Sequence, residues 1–237
     1  MAPSFAVRSS QLEWMEAPGI EEQALTDCLN DLARANTLTF ARPPTLQWLQ
    51  RATRGLAPGA RFTLLDVGYG QGDMLRAVHR WARRRGFEPR LSGIDLSPWS
   101  ATAANAATDP SWDIRYLVGD VFEHGAGEPI DFVISSLVAH HMDDETLVRF
   151  LAWMEANARR GWFINDLHRH PLAYYGFMAL GRLTALHPMV RHDGLISVTR
   201  AFTRRDWDRL LATNGAPRAA VEVAWRFPFR ICVGRIK

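Results

Sequence analysis

At 237 residues the chain is long enough for one α/β domain with a full core and a modest cap, and its 47% hydrophobic and 22% charged content is that of a globular protein. The net charge of +3 rests on arginine, since Lys237 is the lone lysine, and the one dense basic run, Arg83-Arg84-Arg85, falls at an expected helix C-terminus where cations offset the helix dipole. That distribution argues against a nucleic-acid-binding surface. Cys28 and Cys232 lie far apart and outside metal-ligand spacing, no apolar leader opens the chain, and no run reaches the ~18 apolar residues of a spanning helix. A reducing, cytoplasmic setting is expected, with no integral membrane segment.

Residues 1–19 carry little pattern beyond Pro3 and a Pro18-Gly19 turn. The stripe Ile20, Ala24, Leu25, Cys28, Leu29 and Leu32 predicts a helix from Ile20 to Ala35. A second is predicted from Pro44 to Thr53, with Leu46, Trp48 and Leu49 apolar and Gly55 and Pro58-Gly59 after its end. Phe62 to Asp66 reads as a buried strand ending in an acid, followed by glycines at alternate positions, Gly68, Gly70 and Gly72. Glycine removes the Cβ that blocks close approach and permits positive φ, and the next helix aims its N-terminal donors at the same place. This is a nucleotide-cofactor turn. The dinucleotide fingerprint G-x-G-x-x-G would need its third glycine where Asp73 stands. Acids on both sides, Asp66 and Asp73, would repel a pyrophosphate but suit a ligand with an ammonium group and ribose hydroxyls. A nicotinamide oxidoreductase is therefore disfavoured.

Met74 to Arg85 is helical by its spacing and Gly86 stops it. Arg90 to Asp95 is a second strand ending in an acid, and Ser97-Pro98 supplies an N-cap and N1 proline for a helix through Ala107. An acid at the end of a second strand is where a ribose diol is usually held, by charge-assisted hydrogen bonds. Trp112 to Asp120 reads as strand three, Asp131 to Ser136 as strand four, and Asp143 or Asp144 as the cap of a helix Glu145–Ala158. Gly161 to Asp166 is strand five. Thr203 caps a helix Arg204–Thr213 with Gly215 at C′, and Ala219–Trp225 and Phe229–Val233 form a closing hairpin.

From Asp66 to Asp73, and in the ordered motifs at Asp95, Asp120 and Leu137–Met142, the chain resembles the class I S-adenosylmethionine-dependent methyltransferases. The resemblance covers roughly residues 60–166 and 200–237. It implies an α/β fold with a seven-stranded Rossmann-like sheet, mostly parallel with an antiparallel last strand, and S-adenosylmethionine as cofactor. It assigns Asp66, Gly68, Gly70, Gly72, Asp95, Leu96, Asp120, Val121 and Ser136 to the cofactor site, Asp120 toward the adenine amino group. Residues 1–59 would be an N-terminal helical cap on a methyltransferase domain 60–237. The N-P-P-Y/F signature of nucleobase-nitrogen methyltransferases is missing after strand four, where Ser135-Ser136-Leu137 stands.

Residues 168–200 far exceed the ~2–6 residues of an ordinary αβ connection. They carry an aromatic, amphipathic stretch (Tyr174, Tyr175, Phe177, Met178, Leu180, Leu183, Leu186) rooted at the ligand-binding edge of the sheet, which reads as a lid over an acceptor pocket. A homodimer interface and a membrane-surface helix are the rival readings. The run Asn165–Pro171 and His192-Asp193-Gly194 are also similar to bacterial methyltransferases acting on polyketide-like or isoprenoid-like small molecules, which implies a hydrophobic acceptor. An oxygen acceptor of high pKa needs a base, and histidine is best poised for it near neutral pH. His140, just past the strand-four tip, is the first choice and His168 the second. His141, His170, Tyr174, Tyr175 and His192 are expected to contact the acceptor. No HExxH, CxxC or carboxylate cluster accompanies His168-x-His170, so no metal is expected, and no G-x-S-x-G elbow points to a hydrolase. Methylation at a phenolic or enolic oxygen is expected, with C- or N-methylation and cofactor binding without transfer as alternatives.

Overall fold

The computed structural model describes residues 4–17, 22–124, 129–213 and 220–237. Its strands are β1 (Arg61–Val67), β2 (Glu88–Asp95), β3 (Ile114–Val118), β4 (Ile130–Ser136), β5 (Ala158–Leu167), β6 (Glu222–Arg226) and β7 (Arg230–Ile236). They form one seven-stranded sheet in the order β3-β2-β1-β4-β5-β7-β6. β1 to β5 are parallel, and β7 runs antiparallel to both β5 and β6. The order reverses between β1 and β4, which opens a crevice at the C-terminal ends of those two strands.

The near-continuous apolar runs of the central strands feed two cores by simple alternation. Leu65, Val67, Val133, Trp162 and Ile164 face α5 (Asp144–Asn157) and α8 (Arg204–Thr213), which contribute Phe150, Met154 and Trp207. Leu64, Phe132, Ile134 and Phe163 face Trp48 of α2 (Arg42–Ala52) and Leu75 and Val78 of α3 (Asp73–Arg84). Trp48 stacks on Phe163 at 5.1 Å and meets Phe132 edge-on at 5.9 Å. Truncating such a buried indole costs about 3–5 kcal/mol.

Several boundaries differ from the sequence expectation for local reasons. α1 spans Glu22–Leu38, a turn beyond Ala35, and α2 starts at Arg42, with two prolines in a first turn that leaves their missing N–H groups without cost. β3 starts at Ile114 rather than Trp112, whose N–H closes a turn on the Asp109 carbonyl at 2.9 Å. Ser97 precedes α4 (Pro98–Ala107) as expected, but its hydroxyl makes no cap bond. Asp143 does cap α5, accepting the Thr146 N–H at 2.7 Å. Pro18, Gly19, Ile20, Gly215 and Ala219 lie outside the described residues, as do the side chains of Ala24 and Leu25.

Residues 168–200 fold into two helices, α6 (Pro171–Leu183) and α7 (Pro188–Arg200). Cys28, Leu32 and Ala35 of α1 pack against Leu186 and Val190, with Met15 of a 3₁₀ turn Trp14–Glu16 and Phe177 alongside. This layer sits at the strand ends, near Leu137 after β4 and Leu167 at the tip of β5. Among the described residues no helix is long and apolar enough to cross a membrane.

Candidate active site

The turn after β1 is bare backbone. Gly68, Gly70 and Gly72 adopt φ of +73°, +52° and +75°. A Cβ at Gly68 would lie 2.3 Å from Val138 Cγ2, and one at Gly72 would lie 2.6 Å from the Tyr116 hydroxyl, so both conformation and space require glycine. Asp95 at the tip of β2 ties this turn down: one carboxylate oxygen accepts the Gly70 N–H at 2.9 Å and the other the Ser97 N–H at 3.0 Å. Asp73 pairs with Arg42 at 2.9 Å.

Over the turn lies a cavity of about 70 Å³, lined by Asp66, Gly68, Tyr69, Gly70 and Ser136, with Leu32 and Asn36 of α1 closing it. Asp66 Oδ1, the Tyr69 hydroxyl and Ser136 Oγ are buried without a partner. Burial, then the nearby Asp73 and Asp95, pushes the Asp66 carboxyl well above the usual carboxylate range. Each orphaned group costs about 1–3 kcal/mol, so this constellation is organised for a polar ligand. Leu96 is 75% exposed beside Asp95. Asp120 accepts the Phe122 N–H at 2.9 Å. Val121, expected at the cofactor, has its side chain buried in the core with Leu65, Val67 and Val133.

A second cavity of about 90 Å³ adjoins the first and shares Leu32, Asn36 and Leu137 with it. Leu137 sits at the β4 tip with φ +62°, a left-handed conformation that a leucine adopts only where its surroundings impose it. The rest of the lining is mostly apolar, including Met15, Cys28, Phe177 and Val190. Its polar lining includes His140, His141, Glu13, Asp193 and Arg230.

His140 is 2% exposed, and its Nδ1 lies 2.7 Å from Asp166 Oδ1 while its backbone N–H donates to Asp166 Oδ2 at 2.8 Å. Its Nε2 is 3.6 Å from Glu13 Oε1. Burial alone would lower the imidazole pKa, but Asp166 and then Glu13 raise it to about 9. The same pairing holds Asp166 and Glu13 below the usual carboxylate range despite their burial. Glu13 also accepts from Ser197 Oγ at 2.7 Å. His141 lines the cavity as well, with Nδ1 2.5 Å from Glu16, and Arg200 donates to Glu16 at 2.6 Å and to the His141 carbonyl at 3.2 Å. Glu13, His140 and His141 offer ligand atoms within 4.8 Å of one another, but Arg200 Nη1 stands 3.9 Å from Glu13 and supplies a positive charge of its own.

The other expected site residues are not brought to this cavity. His168 is half-buried with Nδ1 unpartnered and its backbone N–H on the Phe229 carbonyl, and burial lowers its pKa. His170 caps α6, accepting the Leu172 N–H at 3.2 Å, and stacks on Phe229. Tyr174 packs edge-on to Phe5, and Tyr175 is exposed on α6. His192 stacks on Trp14 at 3.7 Å and bonds Asp193, on the outer side of α7. Helix phase decides the cases of Tyr174, Tyr175 and His192: α6 and α7 turn Phe177, Val190, Gly194 and Ser197 toward the cavity instead. Sequence reasoning missed Glu13, Asp166 and Arg230. Glu13 carries no local signal, whereas Asp166 extends an apolar strand and Arg230 interrupts one, which are readable irregularities.

Residues 64–161 match the family model described as a methyltransferase domain. No curated protein matches the sequence. Among solved structures, the plantazolicin methyltransferase BpumL bound to S-adenosylhomocysteine aligns over 91% of this chain and 95% of its own, with a TM-score of 0.62 and 14% identity. The magnesium protoporphyrin IX methyltransferase ChlM of Synechocystis PCC 6803 aligns over 94% and 91%, with a TM-score of 0.53 and 17% identity. A putative O-methyltransferase from Nostoc punctiforme PCC 73102 aligns over 88% and 60%, with a TM-score of 0.57 and 16% identity.

Proposed function

We propose that this chain, an S-adenosylmethionine-dependent methyltransferase of class I, methylates an oxygen of an apolar small molecule held against His140. The observation that carries the reading is the shared wall. The glycine-turn cavity and the His140 cavity meet at Leu32, Asn36 and Leu137, so a ligand in one abuts a ligand in the other. Bound at the first cavity, the cofactor would supply an electrophilic methyl group. Asp66 and Asp95 suit its ammonium and ribose hydroxyls, the turn without Cβ atoms lets it approach closely, and exposed Leu96 offers an apolar platform for its base. We read Asp120, after β3, as the partner of the base's polar edge.

The protein's share of the chemistry is then positioning and proton management. His140 takes the acceptor's hydroxyl proton on Nε2, while Asp166 fixes the ring through Nδ1. A base whose conjugate acid has a pKa of about 9 is closely matched to a phenol, whose pKa is roughly 10, so the transfer is nearly even in energy. Glu13 keeps the resulting imidazolium paired. Candidate acceptors are aromatic or enolic metabolites of a polyketide-like or isoprenoid-like kind, in a cytoplasmic setting consistent with two buried free cysteines. We read α1, α6 and α7 as the cover of the site. Cavities of about 70 and 90 Å³ are well under the ~300–1,000 Å³ of ordinary small-molecule sites, so the cover must shift to admit both cofactor and acceptor.

The test is His140→Gln, assayed with labelled cofactor against a panel of phenols and enols. Turnover should fall by ~10²–10⁴ with S-adenosylhomocysteine affinity unchanged. A variant that matches wild type in rate and in pH profile would remove His140 from the reaction.

A further inference from the structure

The acceptor cavity contains a cation that the reaction above does not use. Arg230 opens β7, is 1% exposed and lines the same cavity as His140. Its Nη2 donates to Thr39 Oγ1 at 3.1 Å and lies 3.5 Å from the Thr39 carbonyl. Its Nε and Nη1 have no partner at all. No carboxylate is within ion-pair distance of it among the described residues; Asp166, the nearest in influence within the cavity region, is committed to His140.

A guanidinium stays charged in proteins, and its Nε–H and both Nη1–H groups are donors. Burying that charge without a counter-ion costs several kcal/mol, and apolar neighbours add nothing back. A residue kept there at such a cost is matched to something absent from the free protein. The surrounding wall is mostly apolar (Leu137, Leu167, Phe177), with the acids Glu13 and Asp193 also in the lining, which disfavours a heavily hydrated polyanion and favours a single planar anionic group on an apolar body.

We propose that Arg230 is a specificity-determining residue that binds a carboxylate on the acceptor, so that the substrate class is apolar carboxylic acids, aromatic ones above all. This rests on the reading of that cavity as the acceptor site. The guanidinium fork matches carboxylate geometry, and low local polarity makes the charge-assisted bonds strong. An uncharged analogue leaves the cation unpaired and is rejected.

The experiment titrates the protein, loaded with S-adenosylhomocysteine, with benzoate and 2-naphthoate and with the corresponding amides. At least one acid should bind ten-fold or more tightly than its amide, and Arg230→Met should abolish the preference while leaving S-adenosylhomocysteine affinity unchanged. Equal affinity for acid and amide, binding of neither, or a preference that survives in Arg230→Met would each overturn the proposal. The wild-type comparison stands even where the variant fails to fold. Failure of S-adenosylhomocysteine to bind would instead strike the methyltransferase reading, and the acid-against-amide titration of the unloaded protein would still decide for or against Arg230.

Discussion

His140 lies between two carboxylates, and its charge links activity to stability. Raised to about 9, it is cationic in the folded protein at neutral pH, against an ordinary histidine value near 6.5. Its contribution to stability is full below roughly pH 6.5 and is lost as pH rises through 9, on the order of 3 kcal/mol in all. The depressed Asp166 and Glu13 work in the opposite direction, contributing above roughly pH 4 and losing their share as pH falls through their folded values. Chemical denaturation of wild type should therefore show stability declining between roughly pH 6.5 and 9, and His140→Gln should flatten that slope. The rate follows the other limb: kcat/KM should climb toward pH 9 as neutral His140 becomes available. A wild-type profile flat from pH 6 to 9 would contradict the assignment. Asp95 has a second duty besides the ribose reading, since it holds the Gly70 and Ser97 N–H groups. Asp95→Ala should weaken S-adenosylhomocysteine binding by ~1.5–3 kcal/mol in calorimetry, and an unchanged affinity would remove it from the site.

Among the elements, the α6–α7 pair determines how much of the acceptor cavity exists. The helices meet closely because α7 carries Gly194 where Phe177 of α6 lands: a Cβ there would lie 2.1 Å from the Phe177 ring. Gly194→Ala must therefore push the helices apart or turn the ring into the cavity. We expect a loss of about 1–3 kcal/mol by denaturant titration, together with weakened acceptor binding and unaltered cofactor affinity. The element scale is also where the sequence spoke unevenly. β1 and β4 are legible because buried parallel strands are nearly continuous apolar runs, whereas β2, Glu88–Asp95, is legible mainly by the acid at its end and the Ser97-Pro98 helix start that follows. The amphipathic run from Tyr174 to Leu186 announced a helix but not its phase, and so Tyr174, Tyr175 and His170 were expected at a cavity that Phe177 and Gly194 line instead. Phase is decided by the partner helix, which no local pattern encodes.

On the scale of the whole molecule, one crevice collects residues from both ends of the chain. Glu13 precedes the sheet, Arg230 opens its last strand, and His140 and Asp166 come from the tips of neighbouring strands. The glycine turn was readable because its chemistry is contiguous, from Asp66 to Asp73. The acceptor side is only partly readable because its polar groups meet through tertiary packing alone: His140 is legible and Arg230 shows only as an irregularity in its strand, while Glu13 carries no signal. Methyl transfer in this crevice requires that the first cavity accept S-adenosylmethionine. Calorimetric titration with S-adenosylhomocysteine, alongside NADH, tests this most directly. One-to-one binding of S-adenosylhomocysteine in the micromolar range and none of NADH is the predicted result; no binding of S-adenosylhomocysteine, or preference for NADH, would contradict it.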